Sequence, residues 1–179
     1  MTTGYSIFET ALGFAALAWG ERGVVRVVLP ERSAADARAV LLRRGLKAEE
    51  VEPPPNVRKA IEQIAALLKG EPADFSGIKI DLGEMPEFSR RVYDVARAIP
   101  PGSTLTYGEV AARLGQPGAA REVGQAMGAN PVPIVIPCHR VVAASGKIGG
   151  FSAPGGSVTK QRLLAIEAAL QPGTLFSKR

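Results

Sequence analysis

With 179 residues, 46% of them apolar and 22% charged, the chain has the composition of a soluble folded protein of one domain or two small ones, and disorder is not expected. A single cysteine excludes an intrachain disulfide, and with a single histidine it cannot supply the ligands of a structural zinc site; the chain reads as intracellular, with no metal. The net charge of +5 is uneven, since residues 1–85 carry 11 Lys/Arg against 12 Asp/Glu and residues 86–179 carry 11 against 5, so phosphates would favour the second half, although a basic surface can also serve solubility alone.

No basic residue precedes Arg22, and the apolar patch 11–19 is too short for a membrane span and wrongly flanked for a signal peptide, so a cytoplasmic protein is expected. Residues 5–9, 11–19 and 24–29 read as strands punctuated by Gly13, Gly20 and Gly23, a small antiparallel meander. Ser33 caps a helix over 34–44 that ends at Gly45, and three prolines precede a second helix over 56–69 that ends at Gly70. The alternating run Ile78-Lys79-Ile80-Asp81-Leu82 fits a strand or an extended crossover, and the crossover is preferred. The division that follows is a strand/helix domain over 1–77, a linker over 78–85, a domain over 86–170 and a tail over 171–179.

The second half is mainly helical. Phe88, Val92, Val95 and Ile99 recur at three- and four-residue steps and give 86–99 one apolar face, which Pro100-Pro101-Gly102 terminates. A capped helix over 106–114, a turn over 115–118 and a helix over 119–128 have helix-turn-helix spacing, by itself a weak signal for nucleic acid. Within the last helix Ala120, Gly124 and Gly128 form a side-chain-poor ridge, although each interior glycine costs about 1 kcal/mol against alanine. The ridge serves either a neighbouring helix or a nucleic-acid backbone, with Arg121 projecting beside it. The expected fold is therefore mixed α/β of the α+β kind, a small antiparallel-sheet domain with helices followed by a mainly helical domain.

That second domain places Cys138 next to His139 after the run 131–137. A thiol attacks as thiolate and needs a base or a positive charge to bring its pKa below about 8.5, and His139 is the nearest candidate. Neighbouring side chains on a strand point to opposite faces, but Pro131, Pro133 and Pro137 cannot donate to a ladder and suggest a strand ending just before Cys138. Read alone, a cysteine in an apolar run is more often inert core.

From about Phe88 to Glu167 the chain resembles the O6-alkylguanine-DNA alkyltransferases. The resemblance rests on Thr106-Tyr107-Gly108-Glu109-Val110-Ala111, Ala119-Ala120-Arg121, Gly124, Met127, Asn130-Pro131-Val132-Pro133, Pro137-Cys138-His139-Arg140-Val141, Gly149-Gly150-Phe151-Ser152 and Leu163-Leu164-Ala165-Ile166-Glu167, in that order. It implies a single-turnover methyltransferase, with Cys138 as the alkyl acceptor, His139 drawing off its proton through a water and Glu167 orienting His139. It further implies that Tyr107 assists the departing guanine, that the base is flipped out of the duplex with Arg121 in its place, and that Ala120 and Gly124 lie against the minor groove. Main-chain groups at Val141 and Ser152 would read the guanine, and Asn130 would brace the turn below Cys138. The glycine-rich segment 146–156 matches no phosphate-binding fingerprint and reads as a pocket loop, in which Phe151 stands where relatives often have tyrosine. Neither cofactor nor metal is implied, and the partner would be double-stranded DNA carrying O6-alkylguanine, bound by a monomer. A lesion-binding module without transfer and a cysteine hydrolase or redox thiol protein remain as alternatives.

Overall fold

The computed structural model describes residues 2–144 and 156–170, and the chain forms two compact units, Met1–Gly83 with Pro131–Val135, and Glu84–Asn130 with Ile136–Arg179. In the first unit β1 (Thr2–Thr10), β2 (Gly13–Gly20) and β3 (Gly23–Glu31) pair antiparallel, and β4 (Glu49–Glu50) pairs parallel with β1, giving the order β3-β2-β1-β4. Ala15, Ala16, Leu17 and Ala18 of the central strand are all fully buried, so small residues occupy both of its faces. One face, with Ala16 and Ala18, shares a core with Tyr5, Val28 and with Ala37 and Leu41 of α1 (Ala34–Leu42). Ser33 caps α1 by accepting from the Asp36 amide at 3.0 Å, and α2 (Pro55–Leu68) buries Val57, Ala60, Ile64, Leu67 and Leu68 along one stripe.

Two segments depart from the sequence-based division. Residues 78–81 are not a free linker: Val24 N donates to Lys79 O at 3.0 Å, Asp81 N donates to Val24 O at 2.8 Å, and Ile80 bridges Val24 in parallel. A side chain at Gly23 would lie 2.6 Å from Lys79 O, and its φ of 142° is open to glycine, so the close approach explains the residue. Pro131–Val135 lies with the first unit, where Val27 N donates to Pro131 O at 3.0 Å, although its sequence position falls inside the second.

The second unit holds α3 (Glu87–Arg97), β5 (Leu105–Thr106), α4 (Tyr107–Arg113), α5 (Ala120–Gly128), β6 (Val141–Val142) and α6 (Gly156–Leu170), with β5 and β6 a short parallel pair. The buried face of α3 centres on Val92, Tyr93 and Ala96, because the Tyr93 hydroxyl finds the Ala126 carbonyl at 2.7 Å and so can be buried, while Phe88 and Val95 stay half-exposed. Thr106 and Glu109 form a reciprocal capping box at the start of α4. Among the described residues no helix is long and apolar enough to cross a membrane.

Candidate active site

Residues 131–137 form bends, turns and isolated bridging residues, so the strand expected before Cys138 is absent. The prolines remove three donors, and Ile134 turns the chain with φ 75°, a left-handed conformation rare for a β-branched residue. A three-residue 3-10 turn, Cys138–Arg140, follows Pro137, with Cys138 N donating to Ile136 O at 2.8 Å and Arg140 N to Pro137 O at 2.9 Å. Three residues per turn separate successive side chains by about 120°. The turn thus removes the opposite-face problem that a strand would pose for Cys138 and His139. All three side chains are buried, His139 completely.

Helix α6 supplies the partner carboxylate. Lys160, Leu163 and Glu167 lie at i, i+3 and i+7, share its inward stripe, and are each no more than 1% exposed. His139 Nε2 lies 2.8 Å from Glu167 Oε1, and Arg140 donates to the same carboxylate from Nε at 3.0 and 3.2 Å and from Nη2 at 2.6 Å. Burial alone would raise the Glu167 carboxyl, but hydrogen bonds from His139 and Arg140 overcome it and hold it at about 2. An ionised carboxylate only accepts, so the proton between the two groups belongs to Nε2 of His139. Burial keeps the imidazole neutral, below the usual histidine range, against the opposing pull of Glu167. Its Nδ1 therefore carries the lone pair, and this buried atom has no hydrogen-bond partner among the described residues.

Burial pushes the Cys138 thiol up to about 11, outweighing the Asn130 hydrogen bond, the Lys160 charge and the backbone amides of Cys138 and His139, all of which favour the thiolate. The sequence-based requirement for a lowered thiol pKa is thus not met in this state; at neutral pH the thiol is protonated and needs a base when it reacts. Asn130 Nδ2 donates to Ile136 O at 2.9 Å and so closes the turn below the thiol. Lys160 Nζ donates to Val141 O at 2.6 Å and sits 5.8 Å from the centre of the Tyr107 ring. The Tyr107 hydroxyl is raised by burial and then by Cys138, so it stays protonated and able to donate. Cys138, His139, Glu167, Tyr107, Asn130 and Val141 accordingly converge on one site.

Residues 87–169 match the family model described as 6-O-methylguanine DNA methyltransferase, DNA binding domain. A methylated-DNA–protein-cysteine methyltransferase of Methanothermobacter thermautotrophicus is 40% identical over 87% of this chain and 80% of its own length. The chain belongs to the methylated-DNA–protein-cysteine methyltransferase family. A methyltransferase of the same name from Mycolicibacterium paratuberculosis is 49% identical over 65% of this chain and 68% of its own. Among solved structures, Mycobacterium tuberculosis OGT in complex with DNA superposes with a TM-score of 0.76 at 33% identity, covering 96% of this chain and 97% of that one.

In this methyltransferase-family chain the remaining sequence-derived residues lie on α5 or beyond the described residues. Val123, Ala126 and Met127 face inward, Arg121 is exposed, and Ala120 and Gly124 are half-buried. Arg121, Gly124, Gln125 and Gly128, at i, i+3, i+4 and i+7, share the outer face. A Cβ at Gly124 would meet the Tyr107 ring at 4.0 Å, an ordinary contact, and one at Gly128 would meet nothing. No described helix requires these glycines. Gly124→Ala and Gly128→Ala are therefore expected to raise stability by up to about 1 kcal/mol each in urea unfolding and to weaken duplex DNA binding in a titration; unchanged DNA affinity would return the ridge to a packing accident. Phe151 and Ser152 lie outside the described residues.

Sequence reasoning gave Arg140 no role and passed over Lys160. Both carry a charge into the interior. The available signal was α6 itself, where Lys160 and Glu167 share a face with Leu163, an arrangement that is costly unless the charges are paired inside.

Proposed function

We propose that the protein repairs O6-alkylguanine in DNA by direct reversal, transferring the alkyl group irreversibly to Cys138. The observation that carries the reading is the buried Cys138, His139 and Glu167 arrangement, with a fixed Nε2–H tautomer and an unpartnered Nδ1. The Cys138 proton passes through a bridging water to Nδ1, the sulfur attacks the alkyl carbon, and the carbon–oxygen bond breaks with its electron pair leaving on guanine. Tyr107 donates to the departing base as negative charge develops on it, and the hydrogen bonds of Glu167 steady the imidazolium. The product is a thioether, which offers no leaving group, so each chain reacts once and needs neither metal nor cofactor.

The alkyl group of a stacked guanine is out of reach of a buried thiol, so the base is flipped at a cost of a few kcal/mol. Exposed Arg121 on α5 fills the vacated space, the glycine face lies along the minor groove, and the protein acts as a cytoplasmic monomer. Arg121→Ala is expected to slow transfer from duplex O6-methylguanine by roughly tenfold or more, the equivalent of about 1.4 kcal/mol, while leaving the reaction with free O6-benzylguanine base unchanged; equal slowing of both would remove the flipping role. The reading as a whole is tested by intact and peptide mass analysis after incubation with an O6-methylguanine oligonucleotide. A gain of one methylene on the Cys138 peptide, at most one per protein, with guanine restored, supports it. Tight binding without methyl gain would instead make the protein a lesion-recognition module.

A further inference from the structure

Arg140 cannot act on DNA directly, because its guanidinium is consumed inside the protein: it is 5% exposed, it spans both oxygens of Glu167, and its Nη1 donates to Ile99 O at 2.7 Å. The geometry raises a chemical difficulty that this placement resolves. A buried carboxylate 2.8 Å from His139 Nε2 would by itself draw a second proton onto the imidazole. The imidazolium has no lone pair on Nδ1 and is no base. A positive charge on the same carboxylate, with Nη2 sharing Oε1 with His139 at 2.6 Å and Nε on Oε2 at 3.0 Å, opposes that second proton while Oε1 still accepts the Nε2 proton already there.

We propose that Arg140 is a positioning residue for the transfer, which by sharing Glu167 with His139 fixes the Nε2–H tautomer without converting the imidazole to imidazolium. The role rests on the proposed transfer only where it concerns rate. Burial is the largest influence holding His139 neutral, Glu167 opposes it, and Arg140 and Lys160 add to it. The groups facing His139 are Arg140 and Cys138 from its own turn and Lys160 and Glu167 from α6, while Tyr93 of α3 and Tyr107 of α4 act on Cys138. A purely structural pin, joining Glu167 to Ile99, would alter stability and scale the rate at every pH. It would not move the pH at which the imidazole takes its proton.

His139 is the chain's single histidine, so a sample labelled with 15N histidine reports its tautomer and titration without assignment. The wild type is expected to show a neutral Nε2–H ring at pH 7 that gains a proton only below the ordinary histidine value of 6.5. Arg140→Lys keeps the charge and should titrate close to the wild type; Arg140→Met removes it and should titrate higher by about one pH unit or more. The acid limb of the single-turnover transfer rate should move up with it. A wild-type ring already doubly protonated at pH 7, or an Arg140→Met titration matching the wild type, overturns the assignment. Should Arg140→Met not fold, Arg140→Gln, which keeps polar atoms for Glu167 and Ile99 O but no charge, takes its place with the same expected rise. Because the spectra need no DNA, a protein that fails to transfer methyl yet shows these titrations would sink the proposed function and support the role of Arg140.

Discussion

Cys138→Ser is expected to abolish methyl transfer at every accessible pH while leaving the fold and duplex binding in place. Serine is nearly the same size, and Asn130, which bonds the thiol, can bond the hydroxyl as well, so the stability change should stay within about 1–2 kcal/mol. The chemistry does not survive the exchange. A neutral thiol already depends on His139 to become a thiolate, and a hydroxyl is both far less acidic and a weaker nucleophile toward saturated carbon; transfer should fall by more than about 10³-fold. The same argument predicts the behaviour of the wild-type thiol. With its pKa at about 11 in the free protein, Cys138 should react slowly with iodoacetamide at pH 7, far more slowly than an exposed cysteine. The two measurements are mass analysis of the methylated oligonucleotide reaction and a thiol-labelling time course. Methyl gain in Cys138→Ser would place the acceptor elsewhere, and rapid iodoacetamide labelling would mean a standing thiolate and no need of the His139 base.

What the sequence made legible was local. Glycines and alternating residues marked β1, β2 and β3, Ser33 and Thr106 marked helix starts by their caps, and the spacing from Thr106 to Gly128 marked the paired helices. Illegible features were those created by contacts between distant segments. β4 is two glutamates with no strand propensity of their own; pairing with Gly4 and Tyr5 makes them a strand, and the Arg38 guanidinium, 2.7 Å from Glu50, offsets their charge. Ile78 to Asp81 alternates as an edge strand would, but only the close approach to Gly23 shows that it belongs to the first unit. At the site, Cys138 and His139 could be named from their residue types, and Glu167 only from the family resemblance. The 3-10 turn could not, because the prolines before Cys138 say that a ladder fails without saying what replaces it. The raised thiol follows from burial, which the apolar run before Cys138 did announce in the inert-core reading, without showing that a base would lie beside it.

Glu167→Gln should have the largest effect on the folded state, and its pH dependence separates the electrostatic cause from packing. The glutamine keeps the shape of the side chain but removes the one anion bonded to buried Arg140 among the described residues, leaving that charge uncompensated, a change that typically costs about 3–5 kcal/mol. It also offers an amide in place of an acceptor-only carboxylate, so the Nε2–H tautomer of His139 is no longer enforced, and transfer should fall by about 10²–10⁴-fold with the loss of general-base function. The folded-state pKa of Glu167, about 2, lies below its value of 4.5 in the unfolded chain. Its contribution is therefore fully present above pH 4.5 and is lost as pH falls from there through 2. His139, also held below its ordinary value, costs stability as pH falls through 6.5 and costs more in the variant, which lacks the Glu167 pull toward imidazolium, so both proteins carry His139→Gln to isolate the carboxylate. Urea unfolding of both proteins at pH 7 and at pH 3 should show a gap of several kcal/mol that narrows at the lower pH. A gap of equal size at both would assign the loss to packing, and no gap at all would mean that Arg140 does not depend on Glu167 for its place in the interior.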